Sequence, residues 1–277
     1  MKIKCNNHNL KNVRQKQVLK NLCFRSYKKL FTLSTKYGRI APGQTVIRMK
    51  QKEIYIVGDL HGNFGPMKMS ILHYNIRDCY LICVGDLGVG FHHPNREPSI
   101  WRDLNGFFAE HNITFLSIRG NHDDPKYFSG INRIVLSNLE LLSDYTLKTI
   151  NDETFLFVGG AISVDRIDRI PDRSYWYNES FMLHPELAVQ CDVLVTHSAP
   201  LWNGPTDKTG ISYWCNVDKL LWDECVQERK DHSSLIQLCA PKKHYCGHFH
   251  ISSFAENNGC TSVILNIDEI KQHIQTQ

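Results

Sequence analysis

A chain of 277 residues with 42% apolar and 22% charged residues can bury a substantial core and has the composition of an ordinary globular protein. No run approaches the ~20 apolar residues of a membrane span, and no apolar N-terminal stretch precedes a small-residue cleavage site, so neither a membrane span nor a secretory leader is expected. The net charge of +4 conceals two unlike parts: residues 1–52 hold fourteen of the 32 basic residues and no Asp or Glu, and the remainder carries 18 basic against 28 acidic residues, a net of −10.

The basic segment is rich in Lys and Asn, weakly periodic around Leu19, Leu22, Cys23, Leu30 and Leu33, and ends in the turn-like APGQ at 41–44. Three readings fit it: a solvated basic extension, an acid-poor transit peptide, or a leader ahead of a natural start at Met49. A nucleic-acid arm is a minor reading, since aromatic residues do not interleave with the charges. The expected division is an extension over 1–48 and the main domain over 49–277.

From residue 53 strand, loop and helix alternate. Glu53–Val57 reads as a buried strand, 64–75 as a helix with Pro66 in its first turn, and Tyr80–Val84 as a second buried strand. Ser99 is expected to cap a helix running to about Asn112, with Trp101, Leu104, Phe107 and Phe108 at helical spacing, before a third strand at Ile113–Ile118. Beyond residue 130 the pattern suggests antiparallel strands. Tyr145–Ile150 and Thr154–Val158 flank an Asn151-Asp152 turn. A strand at Asp192–Thr196 and one or two helices within 217–238 follow. Strands at His244–Cys246, Ile251–Ala255 and Ser262–Ile267 end the pattern, the last two joined through NNG at 257–259.

The ten cysteines include no CxxC pair, and Cys79 and Cys83 sit in the apolar YLICVGD. They read as reduced, small hydrophobes, and a cytoplasmic location is the expectation.

Five short loops, each after a predicted strand or between two, carry the chemistry: GDLHG (58–62), GDLG (85–88), RGNHDD (119–124), THSAP (196–200) and GHFH (247–250). They offer Asp59, His61, Asp86, Asn121, His197, His248 and His250. Carboxylate, amide oxygen and imidazole donors without thiolates suit manganese, iron or zinc. In D-x-H and H-x-H an extended backbone directs both side chains to one face. Any one loop alone says little, because Gly-Asp is a common turn. Five in this order, all at strand ends, are another matter.

With these blocks (D-x-H, GD, GNH[DE], H and GHxH), the stretch from Ile54 to Ile267 resembles the calcineurin-like metallophosphoesterases. The resemblance implies an α/β fold, a four-layer α/β/β/α sandwich of two mixed sheets flanked by helices, with metals at the strand ends. It implies two divalent ions, manganese preferred with iron or zinc as alternatives. Asp59, His61, Asp86 and His250 would hold one and Asp86, Asn121, His197 and His248 the other, with Asp86 bridging. Two-metal chemistry then gives hydrolysis by a metal-bridging hydroxide; His122, next to Asn121 in GNHD, is the expected acid that protonates the leaving oxygen, with a hydrogen-bonding role behind the metal ligands as the alternative.

Three arginines are candidate substrate contacts. Arg119 lies in the third loop, and Arg166 and Arg169 lie in AISVDRIDRIPDRSYWYNE (161–179), which resembles the SVDR…SWW segment of a bacterial and phage branch of the superfamily. For any one of them an ordinary ion pair fits as well. Loop 202–214 is either a lid or a surface excursion. GDLGVGF puts Val89 and Gly90 where the protein phosphatases of the superfamily carry Asp and Arg, which favours a general phosphoesterase. The expected substrate is a phosphomonoester, on a phosphoprotein or a small metabolite. The alternative is a phosphodiester or anhydride: a cyclic nucleotide, a nucleotide anhydride or nucleic acid, the last disfavoured by the acidic charge of the main domain.

Overall fold

The structure is a computed structural model that describes residues 51–132 and 134–275. The expectations for residues 1–48, and a start at Met49, lie outside the described residues. The elements, in chain order, begin with strand β1 (Glu53–Val57), helix α1 (Gly65–His73), β2 (Cys79–Cys83), α2 (Glu97–Glu110), β3 (Thr114–Ser117) and the single-turn α3 (Pro125–Phe128). Then come β4 (Leu139–Leu141), β5 (Thr146–Ile150), β6 (Glu153–Val158), β7 (Val193–Thr196), α4 (Ser212–Val217) and α5 (Leu221–Cys239). The chain closes with β8 (Lys243–Cys246), β9 (Ser253–Asn257), β10 (Cys260–Ile264) and β11 (Ile270–Gln272).

The strands form two sheets, ordered β11-β1-β2-β3-β4 and β5-β6-β7-β8-β10-β9. Successive side chains of a strand face opposite ways, and here both faces are apolar. Ile54, Ile56, Ile82, Val84, Leu116 and Ile118 of the first sheet meet Phe155, Phe157, Val193 and Val195 of the second in one core. The opposite face of the first sheet, with Val57, Leu81, Cys83 and Phe115, packs on Met67 and Ile71 of α1 and Trp101, Leu104 and Phe108 of α2. Leu156, Val158 and Leu194 on the outer face of the second sheet pack on Leu235, Ile236 and Cys239 of α5. Helix, sheet, sheet and helix thus form the four expected layers.

The central strands β1, β2, β3 and β4 run parallel, as do β6, β7, β8 and β10. The antiparallel expectation beyond residue 130 holds for the hairpins β5-β6 and β9-β10, and β11 pairs antiparallel with β1. Between the hairpins it fails, because two long crossovers, 159–192 and the one containing α4 and α5, return the chain to the same end of the sheet. At the first hairpin Asn151 and Asp152 take φ of 50° and 70°, which fits the mirror-image turn that matches strand twist. Helix α2 starts two residues before Ser99. Its first turn contains Pro98, and the Ser99 hydroxyl donates to Arg96 O (2.8 Å) inside that turn and caps nothing.

Among the described residues no helix is long and apolar enough to cross a membrane. The eight cysteines described are free, seven of them buried.

Candidate metal centre

In an open parallel sheet the loops that leave the carboxyl ends of the strands gather along one edge, where ligands bind. The five chemistry-bearing loops leave β1, β2, β3, β7 and β8 at those ends, so the topology brings together side chains almost two hundred residues apart. The loops are bonded to one another: Leu60 N and His61 N donate to Asp86 O, and Gly247 N donates to His197 O (3.1, 2.7 and 2.9 Å).

Asp59, His61, Asp86 and His250 form one cluster, their ligand atoms all within 4.8 Å of one another. Beside it, Asn121 Oδ1 lies 3.1 Å from His197 Nε2 and 2.9 Å from His248 Nδ1, and His197 Nε2 lies 3.2 Å from Asp86 Oδ1. Asp86 thus belongs to both groups. Outer contacts set the donor atoms. The Asn121 Nδ2 group donates to Ser163 Oγ (3.2 Å), which turns Oδ1 inward, and His197 Nδ1 faces Val84 O at 2.9 Å, which leaves Nε2 as the free donor.

The local backbone is strained for this purpose. His61, Asp86, His248 and His250 adopt φ of 47°, 51°, 70° and 52°, a region that costs a non-glycine residue on the order of 1 kcal/mol or more and that concentrates at functional sites. Two glycines make room: a Cβ on Gly120 would stand 2.0 Å from Asp86 Oδ1, and one on Gly247 would stand 2.1 Å from Asp59 Oδ1.

The electrostatics fit a pair of cations. Burial, with repulsion from Asp86, pushes the Asp59 carboxyl up to about 8. Burial also opposes ionisation of Asp86, yet His197, His122 and His61 hold it well below the carboxylate range. His197 goes up to about 10, burial opposing and Asp86 outweighing it. Without cations the cluster therefore keeps protons on Asp59 and His197 to offset buried negative charge, and metal binding releases such protons. Asp59 Oδ1 is buried without a hydrogen-bond partner. Burial lowers His61, His248 and His250, so these imidazoles are neutral and their lone pairs available.

His122 and Arg169 line the same pocket of about 410 Å³ as His61, Asp86, Asn121 and His250. The His122 amide donates to Asp86 Oδ1 (2.7 Å), and its ring stacks on Phe91 at 5.4 Å. Arg169 Nη2 stands 2.6 Å from His122 Nε2, and Nη1 donates to Asn121 O (3.1 Å). Its Nε sits 2.7 Å from Asp165 Oδ1, an ion pair without an aligned hydrogen bond.

The other two arginines are engaged elsewhere. Arg119 donates from Nε and Nη2 to Asp144 Oδ2 (3.0 and 2.8 Å) and from Nη1 and Nη2 to the carbonyls of Asn178, Glu179 and Ser180. No N–H is left for a phosphate, so the expected substrate contact is corrected to a clamp between loops. Arg166 is likewise corrected: its guanidinium pairs with Asp218 (2.7 Å) and Glu224 (2.5 Å), bracing the 161–179 segment on α4 and α5. Of the 175–177 aromatics, Trp176 is buried against Phe91 and Tyr177 is exposed. Loop 202–214 ends in α4, whose Trp214 donates to Asp168 Oδ2 (3.0 Å) and stands on the metal pocket.

Asp123 follows His122 in RGNHDD. It points away from that ring and accepts from the amides of Leu87, Gly88, Val89 and Gly120. Sequence reasoning missed this, although an acidic residue among glycine-rich turns is the signal for it.

The fold and this cluster define a metal-dependent phosphoesterase. Residues 52–252 match the family model of calcineurin-like phosphoesterases, well over half of the chain. The chain belongs to that family of metal-binding hydrolases. No curated protein is significantly similar in sequence. Among solved structures, TT1561 of Thermus thermophilus is similar at 11% identity over 80% of this chain and 98% of its own, with a TM-score of 0.48. The phosphopantetheinyl hydrolase of Mycobacterium tuberculosis is similar at 12% identity over 82% and 97%, TM-score 0.41. A phosphodiesterase described as archaeal is similar at 11% identity over 80% and 99%, TM-score 0.36. These likenesses are remote, and the family assignment rests on the match over residues 52–252.

Proposed function

We propose that the protein is a phosphomonoesterase that works with two divalent cations, manganese preferred, held by Asp59, His61, Asp86 and His250 and by Asp86, Asn121, His197 and His248. The observation that supports this best is the convergence of the seven donors into one connected cluster, five of them on the pocket that also carries Arg169 and His122, with Asp59 and His197 buried behind it. When bound, such a cation pair supplies an activated hydroxide and polarises the phosphoryl oxygens. Arg169 contributes a guanidinium that faces a dianionic phosphate.

His122 accepts from Arg169 at Nε2, so its own proton sits on Nδ1. Burial pushes His122 down to about 4, with Arg169 adding to the effect and Asp86 opposing it. It is therefore a neutral N–H donor that hydrogen-bonds the leaving oxygen and stabilises the charge developing there, while the proton that oxygen finally takes comes from water. Substrates are phosphorylated small molecules or phosphoproteins, in a cytoplasmic setting.

One observation favours a second reading, phosphodiester cleavage. With Arg119 and Arg166 engaged by protein partners, Arg169 is the one arginine on the pocket among the described residues, and a monoanionic diester demands less positive charge than a monoester. Rates on p-nitrophenyl phosphate and bis(p-nitrophenyl) phosphate with added Mn²⁺ decide between them. A kcat/KM higher for the monoester supports the first reading, and the reverse order refutes it.

A further inference from the structure

A second cavity of about 230 Å³ opens beside the metal pocket. Val164 and His248 stand on both, so a molecule whose phosphate sits at the metal centre can extend past them. Ile211, Trp222 and Phe249 supply apolar walls. A 150 Å³ apolar cavity accepts benzene, so this one has room for a bicyclic group.

Its polar feature is Glu228 of α5, 7% exposed, whose Oε2 has no hydrogen-bond partner. The amides of Ile162 and Phe181 and the Ser198 hydroxyl approach the carboxyl without satisfying that oxygen. The adjacent Arg229 does not pair with it. Its guanidinium is bound by the carbonyls of Pro200, Leu201, Asn203 and Pro205, which staples the loop that walls the cavity to α5. A buried carboxylate oxygen with no donor is costly, and an incoming N–H removes that cost.

We propose that this cavity receives the organic group of the phosphoester, a planar and mainly apolar group of about bicyclic size that carries an N–H donor for Glu228. The proposal rests on the phosphoesterase reading and names the substrate class of the same site.

The test uses the full-length Mn²⁺-loaded protein at about pH 8.5, where the Glu228 carboxyl is ionised, and two isosteric probes, 6-aminoquinoline and 6-methylquinoline, titrated by calorimetry. The amine binds about tenfold tighter, the effect of one hydrogen bond to a charged acceptor. Glu228→Met, which keeps the length of the side chain and offers no oxygen acceptor, erases the preference, and Ile211→Trp, which fills the cavity, removes binding of both. In turnover, 5-amino-1-naphthyl phosphate exceeds 5-methyl-1-naphthyl phosphate in kcat/KM by about the same factor. Equal affinities, no binding of either probe, or a preference that survives Glu228→Met overturns the proposal. Hydrolysis of glycerol 2-phosphate, too small to need the cavity, reads the phosphoesterase reading alone. Turnover of that ester without an amine preference overturns the cavity proposal only. An amine preference without turnover of any ester overturns the phosphoesterase reading, and the ester part of the proposal with it.

Discussion

Asp123→Asn separates a ligand-positioning network from the ligands themselves. The Asp123 carboxylate accepts four amides, from Gly88 and Val89 on Oδ1 (2.8 and 2.9 Å) and from Leu87 and Gly120 on Oδ2 (3.2 and 2.8 Å). The residue is fully buried, so no water replaces a lost partner. Asparagine keeps one acceptor oxygen and turns an NH₂ toward the other two amides. Two buried donors without partners cost about 2–6 kcal/mol together, or roughly 5–20 °C in Tm for a domain of this size. Because these amides belong to the loops that carry Asp86 and Asn121, metal affinity falls by about 10- to 100-fold as well. The neighbouring Asp124→Asn is the control, since Asp124 only caps α3 through Lys126 N at 3.0 Å, worth about 1 kcal/mol. Thermal unfolding by circular dichroism in EDTA and calorimetric titration with Mn²⁺ read the two effects. A Tm loss for Asp123→Asn no larger than that of Asp124→Asn, with Mn²⁺ affinity unchanged, refutes the reasoning.

Gly120→Ala places a Cβ 2.0 Å from Asp86 Oδ1 and 2.4 Å from its amide. It is expected to reduce bound metal, measured by elemental analysis after gel filtration, and to lower turnover by about 100-fold or more. Arg169→Ala is expected to lower kcat/KM by about 100-fold through loss of a charge-assisted contact. Arg166→Ala, which breaks the pairs with Asp218 and Glu224, costs about 1 kcal/mol of stability with kcat/KM within about threefold; kinetics and melting of both variants check the contrast. Burial pushes the Glu228 carboxyl from 4.5 up to about 7, so the fold holds this proton more tightly than the unfolded chain does. That ionisation cost is absent well below pH 4.5 and complete above about 7, so it lowers stability as pH rises between them. Glu228→Gln removes it. The variant is expected to exceed the wild type by up to about 3 kcal/mol at pH 8 and by little at pH 4.5, read from urea unfolding at both values.

The seven candidate metal ligands stood out in the sequence and the partners of the arginines did not, for a physical reason. A ligand such as Asp86 is fixed by its own loop: it leaves a strand end, adopts a positive φ that few residues tolerate, and needs a glycine, Gly120, opposite it to make room. Those local demands are written in short motifs, so the seven donors could be named before their convergence was seen. What an arginine binds is decided by partners distant in the chain. Arg166 and Arg169 stand three residues apart in one segment with like surroundings in sequence, yet Asp218 and Glu224 claim the first and the backbone of Asn121 and the ring of His122 receive the second. No local pattern carries that choice. The same holds for β4 and β11, three residues each, whose pairing comes from the sheet they join and not from their own periodicity. Glu228 is the extreme case. It lies among charged neighbours in ECVQERKD (224–231), and packing against the 161–181 segment and the loop after β7 buries it. On the proposed reading, specificity is a matter of tertiary placement laid over a centre specified loop by loop, so substitutions in the cavity and at Arg169 are expected to change which ester is cleaved while metal content is retained.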